Sequence, residues 1–307
     1  MTTSDIAAPA KTLLPWSFWL RQTLAILRLE TKKNFVGRRL IAVYFLSIAP
    51  VALFVVAQAF PMPQEVLGDP TRGVTFYSVM FQTYILRFAV FFGCMSIFTN
   101  LFRGETLEKT LHYYLLAPVK REVLVVAKYF SGLLAAVCFF CLSAGACYVL
   151  VLARYGRKAM VDFIFNGPGM GQLASYMAVV AMGCVGYGAV FLLVGLYWRI
   201  TIIPAGLLLA WETFNFLLPS FLQKLSVIHY LQSMCPLPPN LGPLAIITEP
   251  TSAWVSIPGF AGMTILVILA SAIKVNRMDV TIGLVLGRQR RRRHCPISRT
   301  GTLDHRR

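Results

Sequence analysis

Long apolar runs separated by short polar stretches make up most of the chain. A helix rises about 1.5 Å per residue, so about 20 residues cross a hydrocarbon core about 30 Å thick. Six runs reach that length, and they occupy residues 40–60, 74–102, 123–153, 173–198, 201–221 and 253–273. Because backbone polar groups cannot stay unpaired in lipid, each run is predicted to be helical. The pattern therefore predicts an all-α, polytopic membrane protein whose six transmembrane helices fill residues 40–273.

An amphipathic pattern precedes the first run, within the N-terminal residues 1–39. One helical stripe is apolar and the basic residues lie largely elsewhere; the stripe is formed by Trp16, Leu20, Leu24 and Leu27. A helix of this kind lies along a membrane surface with its apolar face in the interface. The segment is predicted to be such an interfacial helix, and packing against neighbouring protein is the alternative.

A short polar stretch between the second and third runs also has helical periodicity. Residues 104–116 carry one apolar stripe, formed by Leu107, Leu111, Tyr114 and Leu115. Glu105 and Glu108 lie in the first turns, where the helix dipole favours acids, and Glu105 can pair with Lys109. Pro118 ends the helix because it pushes the preceding residue out of helical geometry. The stretch is predicted to be a short helix along the cytoplasmic face, joined tightly to the runs on both sides.

Two further segments lie outside the apolar runs. Residues 223–250 are mildly apolar but are interrupted by five prolines, so they are not predicted to form a simple additional span. They are predicted to form a partly re-entrant or surface-lying external element that is buried against protein. Residues 274–307 form a basic tail, predicted to be disordered and close to anionic lipid headgroups.

Composition and charge placement agree with a membrane protein and give it an orientation. Only 13% of the residues are charged and the mean hydropathy is +0.67, whereas soluble domains carry about 25% charged residues. Of the 29 lysines and arginines, 23 lie in the N-terminal segment, the loop 103–122 with Lys128, the turn at Arg199 and the tail. Since positive residues concentrate in cytoplasmic loops, both termini are predicted to be cytoplasmic, in a plasma membrane such as a bacterial inner membrane. The basic cluster at 154–158 is an exception on the opposite side.

The chain carries no recognisable enzyme, cofactor or metal motif. It lacks the phosphate-binding loop G-x-x-x-x-G-K-[ST], so it is not predicted to bind ATP itself. The histidines are dispersed, and Cys138 and Cys141 lie inside an apolar run, which favours helix packing over a metal site. Three glycines of the motif GCVGYG are predicted to let helices approach closely; they are Gly183, Gly186 and Gly188. Because the net charge of +17 is placed as in a membrane protein, no nucleic-acid partner is predicted.

Two charged residues, Arg87 and Glu212, lie deep inside apolar runs. Such residues are costly in hydrocarbon and usually face a bundle interior or a cavity. Counting along the second and fifth runs places both at a similar depth, about 13 Å from the outer side. We predict that they pair, within one subunit or across a dimer. The pair would be either purely structural or a polar lining of a substrate path.

The stretch "ETLEKTLHYYLLAPVKREVLVVAK" (residues 105–128), together with the arrangement of runs, resembles the membrane-spanning permease of type 2 ABC exporters. The resemblance rests on two acids spaced by three residues before Thr-Leu, and on Leu-Leu-x-Pro followed by a basic residue, Glu122 and Lys128. It implies that residues 104–116 are a coupling helix that seats in a groove of a separate ABC ATP-binding subunit. The residues expected to contact that subunit are Glu105, Glu108, Lys109 and His112.

The resemblance also implies two permease protomers, alike or different, with a substrate path between them lined by the first, second and fifth spans. ATP and Mg would be bound by the partner ATPase, and this chain would bind no cofactor. Two other interpretations remain open from the residues alone. One is a scaffold or assembly subunit with the same fold that moves no substrate, and the other is a membrane-embedded enzyme that uses Glu212.

Overall fold

The computed structural model is helical throughout the part of the chain that it describes. It describes residues 24, 27, 28, 31, 41–60, 69–107, 121–198, 200–215, 219, 223, 225–237 and 256–274, with the backbone alone for 102–107 and 121–124. The α-helices are α1 (Ile41–Gln58), α2 (Pro70–Met80), α3 (Phe91–Leu107), α4 (Arg121–Ala153), α5 (Arg157–Phe165), α6 (Gly169–Tyr197), α7 (Ile202–Thr213), α8 (Val227–Ser233) and α9 (Ser256–Lys274). A π-helix, π1 (Phe81–Val90), joins α2 to α3.

Five helices in the described part of the chain are long and apolar enough to cross a membrane: α1, the continuous rod α2–π1–α3, α4, α6 and α9. The rod is a candidate span over Pro70–Leu101, and it includes all of the predicted run 74–102 except its last residue. The predicted span 201–221 is not confirmed, because its helix α7 has only 12 residues and is about 18 Å long. Its apolar run contains Glu212, Thr213 and Asn215, and the helix ends among these polar residues.

Glycine allows the helices of the core to approach closely, as the sequence predicted for the fourth span. A Cβ at Gly188 would lie 2.6 Å from the Phe98 ring of α3, and one at Gly186 would lie 2.8 Å from the Phe260 ring of α9. Gly195, near the other end of α6, meets backbone: a Cβ there would lie 2.9 Å from Cα of Thr99. The α3–α6 contact is therefore set by backbone approach, with aromatic side chains filling the space beside it.

Two helix starts follow from local signals that the apolar pattern does not contain. The α2 helix begins four residues before the predicted run, because the Asp69 carboxylate accepts a hydrogen bond from the Thr71 amide (2.9 Å) and Pro70 occupies the first turn. The short helix α5 was not predicted, and it follows Gly156, whose φ of 87° lies in a region that glycine tolerates best. Both lie at the end of the bundle predicted to be external.

The basic cluster on that side has a structural use. Arg154, just after α4, donates hydrogen bonds to the carbonyl oxygens of Gln58 (3.4 Å) and Phe60 (2.6 Å) at the end of α1. A cation at this position satisfies carbonyls that the helix leaves unpaired and complements the negative end of its dipole. The exception to the charge rule therefore includes an arginine that joins α1 to α4.

Candidate functional site

A cavity of about 410 Å³ lies between α1 and the rod π1–α3, with Thr201 before α7 completing its wall. Four aromatic residues form much of its lining: Phe45, Tyr84, Phe88 and Phe92. Hydroxyl and amide side chains lie at the end of the lining predicted to be cytoplasmic: Ser96, Thr99, Asn100 and Thr201. No charged side chain is among the described residues that line it. The cavity can therefore take an amphipathic molecule with an apolar body and an uncharged polar end.

The segment predicted to couple to an ATPase lies mostly outside the described residues. The α3 helix continues without a break to Leu107, so the backbone at Glu105 extends the second span rather than beginning a separate helix. Glu108, Lys109 and His112 lie outside the described residues, and their roles stay predictions. The next described helix, α4, begins at Arg121.

A buried lysine ties together the two spans that flank this segment. The Lys128 ammonium on α4 is fully buried and donates to the carbonyl oxygen of Leu101 on α3, at 3.3 Å. One turn along α4, the Ser131 hydroxyl lies 3.5 Å from the hydroxyl of Thr31 in the N-terminal segment. A charged group is buried at this depth only where it is paired, so the contact fixes the spacing of α3 and α4 next to the coupling segment.

Glu212 is buried in the protein and receives several hydrogen bonds. The Tyr187 hydroxyl of α6 donates to Oε2 (3.1 Å), the Val227 amide donates to Oε1 (3.1 Å), and the Ile228 amide donates to Oε2 (2.9 Å). The carboxylate thus lies at the end of its own helix α7 and at the start of α8. It accepts hydrogen bonds from amide groups that cannot pair within the first turn of α8. Its negative charge is stabilised by the positive end of that helix dipole.

Arg87 lies on π1, near this cluster. It forms no ion pair with Glu212 within this protomer, because Glu212 binds Tyr187 and the start of α8 instead. Phe91, one turn further along the rod, packs edge-on against the Tyr187 ring with centroids 5.3 Å apart. The guanidinium of Arg87 acts electrostatically on the Tyr187 hydroxyl, and its Nε is buried without a hydrogen-bond partner among the described residues. The predicted pairing therefore stays a prediction, for another conformation or across a dimer.

Residues 226–237 lie between the second and fourth spans, and most of the α8 side chains among them are buried. Val227 and Leu231 of α8 lie against Gly186 and Gly183 of α6. The Leu237 carbonyl oxygen accepts from the Ser78 hydroxyl (2.9 Å) and the Gln82 amide (3.1 Å) of the second span. Non-helical backbone is tolerated at membrane depth where protein side chains satisfy it in this way. Residues 238–250 of the predicted external element lie outside the described residues.

Some participants of these sites could not be found from the sequence. The charges of Arg87 and Glu212 stand out in apolar runs, but Tyr187 is an ordinary aromatic residue of a membrane helix. Its only local signal is its place inside the glycine motif, where a close neighbour is expected. No group of three or more His, Cys, Asp or Glu suited to a metal ion occurs among the described residues.

One comparison with known proteins gives a match. The family model described as "ABC-2 family transporter protein" matches residues 26–215, more than half of the chain. The matched range includes α1 to α7, with the cavity, the buried Lys128 and Glu212. No curated protein and no solved structure shows a significant match to the chain.

Proposed function

The chain belongs to the ABC-2 family of transporter membrane proteins, and from that premise we propose that it is the permease subunit of an ATP-driven exporter. It works as one of two protomers beside a separate ATP-binding subunit, which binds ATP and Mg. The observation that carries this proposal is the family match over residues 26–215, and the partly open cavity between α1 and the rod π1–α3 adds a cargo-sized space in the membrane domain.

The orientation follows from the distribution of positive charge. The protein lies in a bacterial inner membrane, with both termini and the coupling segment on the cytoplasmic side. The α5 helix and the loop after α1 lie on the external side. The polar end of the cavity, at Asn100 and Thr201, then faces the cytoplasm and receives cargo from that side. The aromatic part, at Tyr84 and Phe88, leads further into the membrane.

The mechanism transmits movement from the ATPase to the cavity through rigid helices. ATP-driven closure of the ATPase subunits moves the coupling segment, whose flanking helices α3 and α4 are joined by the Lys128–Leu101 contact. Because α3 continues into π1, displacement of its cytoplasmic end changes the wall of the cavity formed by Tyr84, Phe88 and Phe92. A switch between two packed arrangements of this kind gives access first from inside and then from outside.

The first test is purification of the full-length chain in mild detergent from its native membrane. An ABC ATP-binding subunit is expected to co-purify, and cargo-free ATP hydrolysis is then measured in lipid nanodiscs. Glu108→Arg is expected to lower the rate of ATP turnover at least about fivefold, because it reverses a charge on the surface that meets the ATPase.

A matched control is Lys158→Glu, a charge reversal on the exposed face of α5 at the other side of the membrane. It should leave ATP turnover unchanged. Absence of an ATPase from the purified material contradicts the permease function, and normal ATP turnover of a complex carrying Glu108→Arg contradicts the proposed coupling surface. Normal ATP turnover without movement of any amphipathic cargo would instead indicate a scaffold with the same fold.

A further inference from the structure

The contacts of Glu212 leave two polar groups nearby without hydrogen bonds. One is Nε of Arg87 on π1, which is buried and has no acceptor in the described part of the chain. The other is the hydroxyl of Ser226, which lies beside the Glu212 carboxylate and has no hydrogen-bond partner among the described residues. Buried polar groups without partners are rare, and each one needs a physical explanation.

Ser226 occupies the position from which serine ordinarily caps a helix. It is the N-cap of α8, and its backbone is extended (φ −90°, ψ 135°), as capping requires, yet its side chain makes no capping bond. The Glu212 carboxylate holds the amides of Val227 and Ile228 in its place. If Glu212 withdrew, the Ser226 hydroxyl could take over a capping bond, so α8 would not be left with an unsatisfied first turn.

Arg87 offers the complementary partner for the carboxylate. It lies one turn from Phe91, whose ring packs on Tyr187, and the Tyr187 hydroxyl already binds Glu212. Arg87 also lies on a π-helical stretch, a hydrogen-bonding pattern that is rare over 10 residues and often marks functional sites. A local return of π1 to α-helical bonding would rotate its side chains relative to the rest of the rod.

We propose that Glu212 is a positioning residue that exchanges partners during transport. In the conformation described here it binds the start of α8 and holds that helix against Gly183 and Gly186 of α6. In the alternative conformation it pairs with Arg87, Ser226 caps α8, and α8 is released from α6. The exchange rests on the proposed function, because alternating access requires two such conformations.

The consequence for transport is a link between the cavity and the external element. Arg87 shares π1 with Tyr84 and Phe88 of the cavity wall, and α8 leads to Leu237, which is bound to Ser78 and Gln82. A change in π1 that brings Arg87 to Glu212 would therefore loosen the segment 226–237 between the second and fourth spans. Cargo entry into the cavity and opening of the external segment would then be coupled through the Glu212 carboxylate.

The test is hydrogen exchange of residues 226–237, measured by mass spectrometry on the full-length chain in lipid nanodiscs. Val227→Pro removes one donor to Glu212 at a helix position where proline is tolerated, and the extended backbone of Ser226 suits a following proline. Val227→Pro is expected to speed exchange about fivefold, because it removes one ordinary hydrogen bond that only the described conformation makes.

Two variants act on the alternative conformation and separate partner exchange from a fixed structural role. Arg87→Met removes the second partner of the carboxylate, and Ser226→Ala removes the replacement cap. Both are expected to slow exchange of 226–237 below the wild-type rate, because the released conformation loses its stabilising contacts. The reference is the peptide that covers α5, whose exchange should not change in any variant.

Faster or unchanged exchange in Arg87→Met and Ser226→Ala would overturn the proposal, because a fixed structural contact predicts loosening or no effect. These measurements need no ATPase, so they can fail while the permease function stands. With the ATP-binding subunit present, trapping the ATP-bound state should speed exchange of 226–237 in the wild type but not in Arg87→Met. A complex without any response to ATP would count against the proposed function as well as against partner exchange.

Discussion

Single polar residues decide where the apolar helices of this protein begin and how they meet. The sequence identified Arg87 and Glu212, because a charge inside an apolar run is rare enough to stand out. It could not identify their neighbours, because Tyr187 and the amides of Val227 and Ile228 come together only in the folded chain. Tertiary contacts between unremarkable residues leave no local pattern in a sequence.

Asp69, the cap of α2, gives a prediction at this scale. Its hydrogen bonds from Thr71, first from the amide, lower the pKa of the Asp69 carboxyl below its usual value. The stabilisation it provides is therefore present above the usual aspartate pKa of about 4 and is lost as the pH falls through the lowered pKa. Asp69→Ala should reduce the melting temperature by about 2–3 °C at pH 7.

Melting curves of the wild type and Asp69→Ala in nanodiscs measure this effect across pH. The difference between the two proteins should shrink below pH of about 4, because the wild-type carboxyl then gains a proton and no longer accepts as a charged cap. Asp69→Asn keeps a capping side chain without the charge, so it should resemble the wild type at neutral pH more closely than the alanine variant does. A difference that grows in acid would refute the capping role.

At the scale of whole elements, apolar length predicted the long helices well and the short ones poorly. The long predicted spans other than 201–221 contain described helices, because a run of apolar residues in lipid has no other way to pair its backbone. The run at 201–221 fails as a continuous helix where Glu212 binds α8, a contact that length and hydropathy do not encode. The π1 stretch likewise has no signal in the apolar pattern.

Backbone approach between α3 and α6 gives a prediction for these elements. Gly195→Ala would place a Cβ 2.9 Å from Cα of Thr99, and backbone cannot move aside as a flexible side chain can. The substitution should destabilise the protein by about 1–3 kcal/mol, the usual effect of overpacking. Unfolding in mixed micelles with increasing denaturing detergent measures the change.

Gly206→Ala on α7 is the matched control, because no other packed group of the described chain lies within 4 Å of the added Cβ. Alanine forms helices better than glycine, so this variant should be as stable as the wild type or more stable, by up to about 1 kcal/mol. Equal destabilisation of both variants would show that loss of glycine flexibility, rather than contact with Thr99, is responsible.

At the scale of the whole molecule, the sequence predicted the class of protein before any helix was placed. Hydropathy predicted a polytopic membrane protein, and the motif at 105–128 resembled the family that the match over 26–215 shows. The cavity could not be predicted, because its walls come from helices far apart in the chain, such as α1 and α3. Its existence depends on packing between elements, which composition does not determine.

Topology is tested at this scale with cysteine labelling in intact cells. Lys158→Cys on the exposed face of α5 should react with a membrane-impermeant maleimide from outside, in a Cys235→Ser background. The native Cys295 of the tail should react only after the membrane is permeabilised. Labelling of Cys295 in intact cells, with protection of the cysteine at 158, would reverse the proposed orientation.

The Arg154 contact also has a consequence for the order of events during synthesis. Arg154 is 94 residues later in the chain than Phe60, whose carbonyl it binds, so α1 is complete long before its partner exists. At about 5–20 residues per second, the interval is about 5–20 s. During that time the first helix must remain inserted without the arginine that later secures it. The membrane insertion machinery is therefore expected to retain α1 until α4 has emerged.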